Sequence, residues 1–168
     1  MSRFYGLTNR VINDVVSLFL SSQDLCKFLS SSELENTDID SIEDLENTYD
    51  LYNKNIYINR RVPDLLEQEG AFISIRATRV GDDSTSNKPL DRGILEVHIV
   101  VSNNLLPTLN GSRDVCIMSI AKELLVNNNF STVGKFTVIQ ADDLYGLPRG
   151  FSGYSIACEF IGYNKVLM

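Results

Sequence analysis

A chain of 168 residues with 43% hydrophobic and 22% charged residues is sized and composed for one globular domain, 1–168, that buries its own core. Its net charge of −7 argues against a surface that grips nucleic acid, which draws on Lys and Arg. No apolar run approaches the roughly 18 residues of a membrane span, and the first residues carry no long apolar signal core.

In chain order, Thr8 or Asn9 is expected to cap a first helix in which Val11, Ile12, Val15, Val16, Leu18 and Phe19 form one apolar stripe. Ser21 followed by Asp24 suggests a second short helix, with Leu25, Phe28 and Leu29 facing inward. From Glu33 to Asn53 there are eight acids and no Lys or Arg, and the remaining 14 acids face 15 basic residues. That band reads as a solvated acidic connector, or as a surface that repels DNA or steers a basic partner. Asn55 to Asn59 then reads as a short strand ending at Arg60-Arg61, and Pro63 opens a helical turn.

Two alternating runs follow. Ala71, Ile73, Ile75 and Ala77 share one face of the first, opposite Ser74, Arg76 and Thr78. Leu95, Val97, Ile99 and Val101 share one face of the second, opposite Glu96 and His98. Such period-2 patterning marks strands with one buried face. Between them the polar stretch from Gly81 to Arg92 shows no structural pattern and is longer than a hairpin needs. It is either a solvent loop or an arm that orders against a neighbour, through Asp82, Asp83, Lys88 and Arg92.

Ser112 is expected to cap a helix to about Val126, with Ile117, Ala121 and Leu124 at helical spacing and Met118 and Leu125 widening the stripe. Lys135 to Gln140 reads as a fourth strand. Gly150 to Tyr163 reads as a fifth, with Tyr154, Ile156, Cys158 and Phe160 on one face. Arg149, in the loop before it, joins Arg60 and Arg61 as a candidate for bidentate pairing with a neighbouring subunit or for surface pairs within the monomer.

Helices with one apolar stripe and strands with one apolar face cannot be buried alone. The expected architecture is therefore α+β: a largely antiparallel sheet of about four to five strands with two main helices on one face. The expected buried face comprises Val15, Leu18, Phe19, Ile73, Ile75, Leu95, Val97, Ile99, Ile117, Ala121, Leu124, Ile156, Cys158 and Phe160.

Catalytic patterns are weak. His98 is the single histidine and sits mid-strand, away from the core face, which leaves no His-led triad and no multi-histidine metal site. Val133-Gly-Lys-Phe-Thr lacks the first glycine of a phosphate loop and precedes a strand. Asp38-Ile-Asp40 and Asp142-Asp143 lack the glycine and terminal Glu of a calcium loop. Cys26, Cys116 and Cys158 are odd in number, lack metal spacing, and read as small buried hydrophobes in a reducing compartment. No cofactor, metal or catalytic residue is expected, and the chain is read as a non-enzyme.

One resemblance covers most of the chain. A helix, a connector, Asn53-Lys-Asn-Ile-Tyr-Ile-Asn-Arg-Arg-Val-Pro63, then Gly70-Ala-Phe-Ile-Ser-Ile-Arg76, a long polar loop, a strand, a helix and Gly150-Phe-Ser-Gly-Tyr-Ser-Ile-Ala-Cys-Glu-Phe160 resemble the tail-terminator or tail-completion proteins of tailed bacteriophages. The acidic stretch between the first helices and the first strand departs from that pattern. The resemblance implies a virion protein, assembled in the host cytoplasm, that closes into a ring, commonly a hexamer. The ring would terminate the tail tube and join the head-side connector, with DNA passing without specific binding and no membrane contact. Alternatives are another neck, connector or baseplate protein, or a stand-alone binding module.

Overall fold

The computed structural model describes residues 3–58, 68–83 and 90–163. Helix α1 (Arg3–Ser21) begins five residues ahead of Thr8, so neither Thr8 nor Asn9 caps it. The stripe starts a turn earlier than expected because Leu7 is buried, lying against the backbone of Gly162. Helix α2 (Gln23–Ser30) is capped by Ser22 rather than Ser21: its side chain accepts from the Leu25 amide at 3.4 Å. Leu25, Phe28 and Leu29 face inward as expected, joined by Cys26.

The acidic band is anchored rather than merely solvated. Leu34, Ile39 and Leu51 are buried along it, and two 3-10 turns, Ile39–Ser41 and Thr48–Leu51, are capped by the side chains of Asp38 and Asn47. Gln23 brackets Leu45, accepting from its amide at 3.0 Å and donating to its carbonyl at 3.3 Å. The buried Lys27 pairs with Asp44 at 2.7 Å.

Five strands form the main sheet in the order β1-β2-β3-β7-β6. Strand β1 (Ile56–Ile58) runs parallel to β2 (Ala71–Asp83), as a connection of a dozen residues permits. Strands β3 (Leu90–Ser102), β7 (Phe151–Tyr163) and β6 (Thr137–Asp143) continue it antiparallel. A small hairpin, β4 (Pro107–Thr108) and β5 (Gly111–Ser112), leads into helix α3 (Arg113–Asn127). Helices α1 and α3 pack on one face of the sheet, so the α+β expectation holds. Every expected core residue is buried there except Leu18 and Leu124, which are half-buried; Leu125 takes the inner position on α3.

Two expected boundaries move for physical reasons. Strand β6 starts at Thr137, not Lys135, because Phe136 is packed edge-on between Phe130 and Phe160. Ahead of it, Phe130 and Gly134 exchange backbone hydrogen bonds at 2.7 Å, closing the preceding loop. Both ends of the stretch from Gly81 to Arg92 are strand: Gly81, Asp82 and Asp83 pair with Arg92, Asp91 and Leu90. Across the sheet, β3 pairs there with Tyr163, Gly162 and Ile161. Backbone hydrogen bonding to β7 extends this ladder where side-chain patterning gives no signal. Residues 84–89, and the turn expected at Pro63, lie outside the described residues.

Candidate assembly surfaces

The geometry separates the expected interface residues. Arg60, Arg61 and Lys88 lie outside the described residues. Asp82 and Asp83 end β2, beside Arg92, which is exposed and forms an ion pair with Glu159 of the neighbouring strand. Arg149 is exposed in the β6–β7 loop, which is tied at Gly150, whose carbonyl accepts from the Asn103 amide at 2.8 Å. Ten residue steps of about 3.3 Å carry β7 from Phe151 to Ile161, the partner of Arg92, so Arg149, just ahead of Phe151, and Arg92 lie toward opposite ends of the sheet. They cannot belong to one contact within a protomer. The Arg92–Glu159 pair also commits Arg92 within its own chain.

Sequence reasoning missed the sheet edges, since a strand's place in the order is invisible in its own residues. Edge strand β6 is exposed along its length except for half-buried Val138. Ile139 sits at its bulge, between Val138 and Gln140, and is 57% exposed. The other edge is stepped. Strand β1 reaches only Ile75 of β2, and among the described residues nothing pairs with the outer side of β2 from Arg76 onward. Arg76 is exposed there and makes no ion pair among the described residues. The three central strands thus run past both edge strands: β6 begins opposite Glu159, while β3 and β7 stay paired to Leu90 and Tyr163.

Polar groups in the interior serve the fold. Arg113 is 2% exposed and donates to the carbonyls of Phe28 and Ser31, both at 2.6 Å, closing the C-terminal end of α2. Burial pulls its pKa down to about 10, which leaves it charged at neutral pH. Asp114 accepts from the Ser112 and Ser152 hydroxyls and the Val115 amide. Asn55 donates to the carbonyls of Leu29 and Ala71, both at 3.0 Å. A cleft of about 310 Å³ opens beside these groups, rimmed by Lys54 and Glu69.

His98 lies on the sheet face away from the helices, half-buried between Ser74 and Ser155, its pKa lowered chiefly by burial. Burial raises the buried thiols of Cys26 and Cys158 to about 11, which keeps them protonated and poor nucleophiles. Cys116 is only half-buried, so the reading of all three cysteines as buried holds for two. Among the described residues no group of three or more His, Cys, Asp or Glu could hold a metal ion, and no helix is long and apolar enough to cross a membrane.

A family model, YomW, matches residues 22–160. No curated protein matches. Among solved structures, a chain in the virion of a native gene transfer agent particle superposes with a TM-score of 0.47 at 8% identity, over 66% of this chain and 79% of that chain. That superposition is too loose to carry weight.

Proposed function

We propose, from the premise that the chain belongs to the phage-derived YomW family, that it is a non-enzymatic structural protein of a phage-type virion. In the finer reading it closes into a ring at the head-proximal end of a tail, ending the tail tube and joining the head-side connector. The observation that carries the reading is the sheet order, in which, among the described residues, β6 pairs on one side only and nothing pairs with the outer side of β2 beyond Ile75. Unpaired strand edges offer N–H and C=O groups to a partner chain. Two different edges on one protomer suit a heterologous contact, the kind that closes a ring when its rotation closes.

Light scattering on a sizing column, followed by negative-stain microscopy, tests the reading. A closed oligomer of uniform order, and binding of that oligomer to one end of purified tail tubes, is the expected result. A protein that stays monomeric, both alone and with tubes, overturns it.

A further inference from the structure

We infer that the cleft beside the C-terminal end of α2 is a binding site for a carboxylate, held by Arg113 from within and by Lys54 at the rim. The inference goes beyond the ring reading and does not depend on it.

An unspent donor carries it. Arg113 is 2% exposed and gives Nε to the Phe28 carbonyl and Nη2 to the Ser31 carbonyl. Its other terminal nitrogen, Nη1, makes no hydrogen bond among the described residues. Sealing a charged N–H away without a partner is costly, and among the described residues no side-chain nitrogen is so sealed. Nη1 therefore opens on space, and the space that Arg113 lines is the cleft of about 310 Å³. A charged donor held there in a buried side chain suits an anion.

The end of α2 does not oppose one. The last carbonyls of a helix carry partial negative charge. Here those of Phe28 and Ser31 are taken by Arg113, and that of Leu29 by Asn55. Hydroxyls stand on the same wall. Ser31 Oγ accepts from the Glu33 amide, which leaves its hydrogen free to donate, and the Ser32 side chain makes no hydrogen bond among the described residues.

Charge and size then select the anion. Of the charged residues lining the cleft, Arg113 and Lys54 are positive and Glu69 is negative, a balance that suits one carboxylate rather than a doubly charged phosphate. Lys54 is exposed and makes no ion pair among the described residues. Asn55 spends Nδ2 on two carbonyls, which leaves Oδ1 as an acceptor for an N–H beside the carboxylate. The volume lies at the lower end of the ligand-pocket range, roughly 300–1,000 Å³, and so takes a group of amino-acid size. An acidic residue of a partner chain and a free N-acylated amino acid share this chemistry.

The test is a titration of isotope-labelled protein with N-acetylglycine, followed by NMR at constant pH and salt, with N-acetylglycinamide as the uncharged match. The carboxylate is expected to give saturable shifts at the amides of Ser31, Ser32, Asn55 and Gly70, and the amide to give none there. Removing Arg113 would also open the end of α2, so Lys54→Glu is the informative variant. It makes the cleft's charge balance negative, should melt like the parent, and should weaken N-acetylglycine binding about tenfold. A Gly-Ser peptide blocked at both ends and carrying one central Asp separates the sources. Tighter binding of that peptide than of N-acetylglycine assigns the site to a partner chain, and weaker binding assigns it to a free small acid. Equal shifts from the uncharged amide, no saturable shift from either carboxylate, or undiminished affinity in Lys54→Glu overturns the inference.

Discussion

At Gly153 a β-carbon would stand 2.1 Å from the carbonyl oxygen of Ile99, a backbone atom with nowhere to go. Gly153→Ala must therefore push β7 away from β3, and urea unfolding should show a loss of at least about 3 kcal/mol. Gly93 presents a milder case, since the Phe160 ring lies over it and a β-carbon would meet that ring at 2.2 Å. On α3 the two neighbouring leucines should separate cleanly: Leu125→Ala is expected to cost about 2–5 kcal/mol, and Leu124→Ala distinctly less, because only Leu125 is fully enclosed. His98 contributes a pH dependence of known sign. Its folded pKa lies below the ordinary value of 6.5, so the unfolded chain takes up the proton first as pH falls. The stability this residue permits near neutral pH is lost as pH drops through 6.5 toward the lower folded value. His98→Gln should remove that part of the slope, seen as convergence of the two proteins' unfolding midpoints on acidification, while leaving assembly at neutral pH unchanged.

The two ends of the segment from Gly81 to Arg92 are paired strand. Ladder pairing at 81–83 and 90–92 contributes to the fold, so the expectation that the segment orders against a neighbour is tested on residues 84–89 alone. Replacing 84–89 with Asn-Gly, a two-residue turn that suits antiparallel strands, should leave the melting temperature of the protomer unchanged. The same replacement is expected to weaken ring formation or attachment to tail tubes. Deleting Gly81–Asp83 and Leu90–Arg92 as well removes paired backbone and the Arg92–Glu159 ion pair, and should lower the melting temperature. If the short replacement assembles like the parent, 84–89 is a solvent loop and the sheet edges alone must account for assembly.

For the whole molecule, ring formation brings together copies that each carry a net charge of −7. Such charges are screened over about 10 Å at 0.1 M salt and about 3 Å at 1 M. Raising salt across that range screens this repulsion and should shift assembly to lower protein concentration, read by light scattering over a concentration series. The acidic band has its own role at this scale. Its buried Leu34, Ile39 and Leu51 hold it against the core, while the Lys27–Asp44 pair ties it to α2.

What the residues determined alone was periodicity. Alternation in 71–77 and 95–101, and the helical stripes around Val15 and Ile117, assign the element types and nearly all of the buried face, because burying one side imposes a repeat along the chain. The start of α3 after Ser112 and the final strand were placed to within a residue, though the Ser112 hydroxyl donates to Asp114 and makes no capping bond to the helix backbone. Tertiary structure decided what periodicity cannot carry. The N-terminal start of α1 depended on Leu7 meeting Gly162, and the start of β6 on Phe136 packing between two other rings. The ladder beyond Gly81 depended on β7 lying beside β3, an interaction of backbone that leaves no side-chain signature. For the same reason the candidate surface was illegible. Which strands lie outermost, β1 at one edge and β6 at the other, is set by the sheet order, which no strand's own residues carry.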